Sequence, residues 1–508
     1  MDPRRPVDEA LRSPVASAGR STPFAAIWGW REGRLALAPS FPALYGVREG
    51  ACMRRGSKIA LFLLAFLYCC IVSISVQRVV LPYLVPAWHA GDGLMVGGDW
   101  LGYHERAVQL RDEIVETGWS AWHLRSRSEA VSGILAVLYV LIAPEPWVYI
   151  PLAAALQASA FLAMCVFLFR LVQSQMLAVV GALPILVFPT ALLWITMPLK
   201  DAFSLCGFLL QLGSWSLILE LIRRRRATIR EFGASLGLLA VGLVLVWIAR
   251  PYLLALFLIL GAFTSVVMAL RLCYLHWKGR LPWRLGEGIV LVLVVGLTLG
   301  SLLPMRLPKD LSNPGTSIVG IDSTESSENQ GRSRLYGQWK SSAWIPASVD
   351  HLLLMFSEQR EASKTSSFDS GSALDSEVTF RSAADMLFYM PRAIQVALFA
   401  PFPTMWFEPG KSAAGSLMRR ISALEMVFAY LMIPCCVVAG WRWRRRPELL
   451  ILVLYAGLGL VIQPLFVANV GTLVRLRFPY FMCFVCLGFS SLLLWFSNRR
   501  AACWKGDA

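Results

Sequence analysis

Residues Ile59 to Val80 read IALFLLAFLYCCIVSISVQRVV, and the basic stretch Met53-Arg54-Arg55-Gly56-Ser57-Lys58 opens them. A bilayer core is crossed by about 20 mostly apolar residues in helical form. This run meets that length, and its basic flank is that of a signal anchor. Further runs of spanning length lie near 147–169, 176–197, 202–222, 234–249, 252–270, 288–303, 421–440, 448–468 and 478–497. Two shorter apolar stretches accompany them. The first, 130–143, stops at Pro144-Glu145-Pro146, and the second, 387–403, is broken by Pro391 and Pro401; both read as re-entrant or interfacial.

Composition agrees. Over 508 residues, 56% are hydrophobic and 16% charged, against about 25% charged in soluble chains. There is too little polar surface for a soluble enzyme or a disordered protein. The expected fold class is therefore all-α: a polytopic integral membrane protein of about 10–12 transmembrane helices. The formal charge of +16 would suggest nucleic acid in a soluble protein. Here it reflects basic loops kept in the cytoplasm, and no nucleic-acid partner is expected. Nearly all of the eleven cysteines lie in or beside apolar runs and none lies in the long polar loops, so no extracytoplasmic disulfide framework is expected. Cys483-x-x-Cys486 lies inside an apolar run and reads as packing residues.

Five basic clusters set the topology: Arg54/Arg55/Lys58, Arg223 to Arg226, Arg271 to Arg284, Arg442 to Arg446, and Arg499/Arg500/Lys505. An even number of crossings separates every pair if the ten long runs span and the two short ones do not. Both termini are then cytoplasmic in an inner (plasma) membrane protein. The chain divides into a basic tail, 1–57, that reads as disordered, with Met53 as candidate natural start. Next come an N-terminal membrane module, 58–303, with a first outward loop at 81–146, an outward polar loop at 304–385, and a C-terminal membrane module at 386–508.

The outward side carries the chemistry. In Gly91-Asp92-Gly93-Leu94-Met95-Val96-Gly97-Gly98-Asp99-Trp100-Leu101-Gly102-Tyr103-His104-Glu105-Arg106-Ala107, the recurrence of Tyr103, Ala107, Leu110 and Ile114 predicts an amphipathic surface helix. Asp99 starts it. The structural reading of Asp99 is an N-cap; the functional one is a general base for a sugar hydroxyl. Asp92, His104 and Glu105 are the alternates. Lys200-Asp201, Arg250-Pro251-Tyr252, Arg475 and Arg477 occupy other outward turns. Snorkelling explains each cation singly. Together, cations at the outer headgroup level suit the phosphate of a lipid-linked donor, which Arg holds by two parallel hydrogen bonds. Asp201, Tyr252 and Arg392 would line the substrate groove, Arg392 from an amphipathic stretch at 389–403. Glu425 lies inside an apolar run and must face a partner or a cavity. No Walker A, Rossmann or D-x-D pattern is present, so a cytosolic nucleotide-sugar donor is not expected.

This order resembles the GT-C class of membrane glycosyltransferases: one span, an outward loop with Asp99 and the helix of Tyr103 and Ala107, a short apolar segment, then paired spans with Lys200-Asp201 and Arg250-Pro251. The resemblance covers roughly 58–270 and reaches the C-terminal half only in general style. It implies a polyprenyl-phosphate sugar donor and a base role for Asp99. The chain departs from the class in lacking a D-x-D pattern in the first loop, which leaves a divalent metal without support, and in lacking a substantial C-terminal soluble domain. It also resembles uncharacterised membrane proteins of bacterial exopolysaccharide gene sets. The expectation is a glycosyltransferase for cell-envelope polysaccharide, acting on the outer face. Its partners would be a polyprenyl-linked sugar or glycan, the bilayer and other polysaccharide-assembly proteins, and no cofactor or metal is called for. An O-antigen-type polymerase or ligase is the first alternative, and a lipid-glycan transporter or flippase the second.

Overall fold

The computed structural model describes residues 53–125, 129–223, 228–277, 339–367, 373–408 and 413–506, with isolated positions at 288, 292, 293, 296 and 297. Among these, eight helices are long and apolar enough to cross a membrane: Arg55–Leu84, Pro146–Val172, Asp201–Ile222, Ile229–Ala249, Pro251–Tyr274, Gly415–Trp443, Pro447–Phe466 and Val470–Arg499. A further helix pair, Gln175–Val187 and Pro189–Thr196, is apolar and long enough only when taken together, and meets at 61°, so the spans number up to nine. The chain is a multi-pass membrane protein. Most of the expected span 288–303 lies outside the described residues, as do the tail residues 1–52 and residues 304–338 and 368–372 of the polar loop.

The first span is α1 (Arg55–Ser75), continued as π-helix through Val76–Leu84. A hairpin follows, β1 (His89–Gly91) and β2 (Leu94–Met95), antiparallel. Asp92 and Gly93 form its turn with φ of 51° and 76°. Two positive φ angles in a two-residue turn explain the Asp-Gly pair. The predicted amphipathic helix is α2 (Asp99–Thr117), which buries Trp100, Tyr103, Ala107, Leu110 and Ile114. It packs on α3 (Ala130–Leu141), the short stretch expected near 130–143, through Leu110, Ile114 and Ala136. Twelve residues rise about 18 Å, too little to cross a bilayer.

The bundle continues with α4 (Ile150–Val172), the broken pair α5 (Gln175–Ala182) with α6 (Pro184–Val187) and α7 (Pro189–Thr196), then α8 (Asp201–Arg223), α9 (Ile229–Ala249) and α10 (Pro251–Trp277). The break falls at Phe188, whose backbone is extended between Pro184 and Pro189. Non-helical backbone inside a membrane needs a partner. Glu425 supplies it, accepting from Thr190 N at 2.7 Å and from Thr190 Oγ1. The intramembrane acid therefore has its expected partner, the open N-terminus of α7.

α8 and α9 form a close antiparallel pair. Ser214 Oγ donates to the Ser235 carbonyl, and Gly207 and Gly242 bring the two backbones together. Small residues let membrane helices approach this closely. Beyond α10 come α11 (Ala347–Ser367), α12 (Ala383–Phe399), α13 (Ala413–Trp443), α14 (Pro447–Ile451) with a π-helical turn, α15 (Leu458–Phe466) and α16 (Val470–Gly506). Pro391 does not break the second short stretch, contrary to the sequence reading. α12 runs through it and ends before Pro401. A proline removes one interior hydrogen bond, and this helix tolerates that because its buried face is anchored by Met386, Tyr389, Ala393 and Val396.

The connectivity gives the bundle two distinct ends. Arg54 caps α1 and Arg55 opens it, Arg223 closes α8, Arg442 to Arg446 join α13 to α14, and Arg499 lies at the end of the last span. All fall at one end. The hairpin, α2, α3, the α8 start, the α9–α10 turn and the α16 start fall at the other, where α11 and α12 also sit. There Arg360 Nη1 donates to the Pro464 carbonyl at 2.6 Å and Leu374 N to Ala468 O at 2.7 Å.

A Cβ at Gly207 would lie 2.7 Å from the Gly242 carbonyl, whereas at Gly213, on the same helix, it would meet nothing within 4 Å. Gly207→Val is expected to destabilise the bundle by about 1–3 kcal/mol, the usual cost of overpacking. Gly213→Ala should leave it unchanged or slightly firmer. Thermal unfolding of both variants in the same detergent checks this.

Candidate functional site

The polar end carries four segments that bring charge together. Asp201 opens α8, where a carboxylate is favoured by the helix dipole. Arg250 closes α9, where a cation is favoured, before Pro251 starts α10. The antiparallel α8–α9 pair sets the two side by side, and Arg250 Nη2 donates to Asp201 Oδ1 at 2.6 Å. Side-chain exposure is 3% for Arg250 and 1% for Asp201. α16 runs parallel to α8, with Tyr480 against Phe208 at 4.5 Å between ring centroids. This places Arg475 at the same level. Its Nη2 donates to Asp201 Oδ2 at 3.0 Å and its Nη1 to Asp99 Oδ2 at 2.6 Å.

Asp99 thus occupies the site in a way the N-cap reading did not foresee. Gly98 is the N-cap residue and no side chain caps α2. Asp99 is the first helical residue, and its carboxylate turns to Arg475. Its side chain is 49% exposed and that of Arg475 30%. Beside them, burial pushes the Tyr103 phenol up to about 12, so it stays neutral.

Lys200 lies alongside but is engaged elsewhere. Its ammonium donates to both oxygens of Glu129, at 2.9 and 3.0 Å. Glu129 was missed in the sequence. Its only signal was an acid immediately ahead of the short apolar stretch that begins at Ala130. Counting Asp99, Asp201 and Glu129 against Arg250, Arg475 and Lys200, the cluster is charge-balanced. Two donors remain: Arg250 Nε and Arg475 Nε are buried and have no hydrogen-bond partner among the described residues.

The other predicted site residues fall outside this cluster of pairs. Arg477, two residues from Arg475, is buried on another side of α16. It donates to the carbonyls of Val396, Ala397 and Ala400, and lies over the Phe481 ring. It closes the C-terminus of α12. Arg392 makes a two-pronged pair with Asp375, at 3.0 and 2.8 Å, which Tyr389 joins. Burial alone would raise the Asp375 carboxyl, but these hydrogen bonds hold it below its ordinary value. Asp92 serves the hairpin turn and lies 3.8 Å from His104 Nε2. His104 bonds the Tyr139 hydroxyl at 2.7 Å, and burial lowers its pKa, which keeps it neutral at pH 7. Glu105 and Tyr252 are exposed.

Among the described residues no group of three His, Cys, Asp or Glu is placed to hold a metal ion. Deeper in the bundle, an apolar cavity of about 340 Å³ lies between α13, α15 and α16, walled by residues such as Met432, Val453, Phe481 and Phe484. Comparison of the chain with protein-family models, with curated proteins and with solved structures finds no match.

The cluster combines a half-exposed carboxylate with two guanidiniums fixed by a buried one. Breaking a buried pair by removing one partner costs about 3–5 kcal/mol. Asp201→Ala should therefore lower unfolding stability by about 3 kcal/mol, because Arg250 is left buried and unpaired. Adding Arg250→Met should restore most of the loss. Chemical unfolding of the single and double variants in micelles measures both effects.

Proposed function

We propose that the chain is a membrane glycosyltransferase that moves a sugar from a polyprenyl-phosphate-linked donor to an acceptor hydroxyl at the end of the bundle bearing Asp99. The observation that carries this reading is the pairing of Asp99 with Arg475, which also holds Asp201 and, through it, Arg250. An accessible carboxylate beside paired guanidiniums suits a reaction that needs a base and a charge sink at neighbouring points.

In the proposed step the acceptor oxygen attacks the anomeric carbon of the donor sugar. Its proton passes to Asp99. The bond from the anomeric carbon to the phosphate oxygen breaks, and its electron pair leaves with the polyprenyl phosphate. Arg475 and Arg250 meet that growing charge, each with a free Nε donor as well as its bound nitrogen. Asp201 keeps the two guanidiniums apart and aimed. The apolar cavity between α13, α15 and α16 offers a place for hydrocarbon rather than for a polar ligand.

The reading also sets an orientation. Arg54, Arg55, Arg223, Arg442 to Arg446 and Arg499 lie at the end opposite Asp99, and basic loops are retained in the cytoplasm. The site then faces outward, where lipid-linked sugars are the fitting donors.

Asp99→Asn keeps the size and start of α2 while removing the base. Product formation should fall by about 10²-fold or more at equal protein level. Arg475→Lys should also cut turnover sharply, because one ammonium cannot span Asp99 and Asp201 while offering a third donor. Sugar transfer in isolated membranes, normalised to protein, is the measurement; wild-type rates in both variants would sink the reading. Orientation is checked separately with an impermeant thiol reagent in intact cells, on a Cys273→Ser background. Ser341→Cys should label and Thr228→Cys should not; the reverse pattern would place the site in the cytoplasm.

A further inference from the structure

Asp99 and Asp201 share Arg475 on unequal terms. Asp201 has both oxygens committed, one to Arg475 and one to Arg250, and its side chain is 1% exposed. Asp99 has Arg475 as its one ion-pair partner among the described residues and is half in solvent. A carboxylate leaving Asp201's position would strand charge in a low-dielectric interior. A carboxylate leaving Asp99's position would be hydrated at once. Exposed ion pairs of that kind hold with only about 0.2–1 kcal/mol.

The charge balance adds a second constraint. Every cation of the cluster already carries a carboxylate: Arg250 on Asp201, Arg475 on Asp201 and Asp99, and Lys200 on Glu129. Among these three cations an incoming phosphate anion meets none that is spare. It gains a full partner only by taking over one that a carboxylate now holds, and the pair to Asp99 is the most exposed of these contacts. After that exchange Arg475 still keeps Asp201, and its unpartnered Nε, with that of Arg250, supplies further donors.

We infer that Asp99 is the resident occupant of a phosphate site built by Arg475 and Arg250 on Asp201, and that a lipid-linked phosphate binds by displacing it. This rests on the proposed transferase reading and adds an order to it. While the donor is absent, Asp99 is tied to Arg475. When the phosphate takes Arg475, the Asp99 carboxylate is released beside the sugar that the same phosphate has delivered. Donor binding therefore precedes acceptor activation, and between turnovers the base stays paired with Arg475.

The exchange makes an unusual demand on the base: removing it must improve donor binding. The test uses the purified full chain in detergent and titrates farnesyl phosphate, with farnesol and inorganic phosphate as parallel probes. Asp99→Asn and Asp99→Ser, both suited to a helix start, should bind farnesyl phosphate roughly three- to fivefold more tightly than wild type. The gain should shrink as salt rises. Arg475→Lys should bind it at least about tenfold more weakly, and farnesol should bind all forms alike. Inorganic phosphate should show the same gain at much lower affinity; equal affinity for both phosphates would assign the site to free phosphate and overturn the lipid-linked assignment. Unchanged or weaker binding of farnesyl phosphate by both Asp99 variants, in samples that remain monodisperse, would overturn the displacement, as would no binding of either phosphate by any form. A chain that shows the predicted gain but transfers no sugar would keep the phosphate site and lose the transferase reading.

Discussion

A carboxylate buried at a helix start, with a guanidinium on each oxygen, is the constraint on which the polar end of this protein depends. Asp201 cannot be ionised there without Arg250 and Arg475, and neither arginine can lose it without cost. The three residues come from α8, the α9–α10 turn and α16, so satisfying one carboxylate fixes the relative height of these elements. The Gly207–Gly242 approach and the Phe208–Tyr480 contact lie on the same faces further into the bundle. Apolar packing and charge pairing thus specify one register. Asp99 joins from the outside, held by the exposed side of Arg475.

Elsewhere the bundle treats polar groups by the same rule, that none inside a membrane is left without a partner cheaply. The broken span leaves the start of α7 open, and Glu425 reaches across to it from α13. The end of α12 leaves carbonyls exposed, and Arg477 covers them. Arg360 ties α11 to the Pro464 carbonyl at the end of α15 in the same manner. These charges serve the backbone. The Asp99–Arg475 contact differs, because both side chains are part-exposed and Arg475 retains an unused donor. That difference in exposure, rather than residue type, separates the candidate site from the structural clamps.

Arg475 and Arg477 show how little of this follows from residue identity. Two residues along an α-helix turn the side chain by about 200°. One arginine therefore reaches the charged cluster while the other faces α12 and the Phe481 ring. In sequence they are the same cation at the same depth. Asp92 and Asp99 form a similar pair: one is spent on a hairpin turn with positive φ, the other meets Arg475. Local backbone geometry decides between them.

Much was legible from the chain alone. Run length and composition determined an all-α membrane protein, because a bilayer admits few other structures for apolar stretches of that size. Periodicity at Tyr103, Ala107, Leu110 and Ile114 determined α2 and its buried face. Charge at the turns picked out Asp99, Asp201, Arg250 and Arg475, since ionisable groups at span ends are few and conspicuous. The tertiary structure decided which of these meet. It joined residues hundreds of positions apart, gave Lys200 to Glu129, removed Arg477 to α12 and carried α12 through Pro391. Those outcomes depend on which faces of separate helices pack together, and a one-dimensional pattern gives the face of each helix without naming its neighbour.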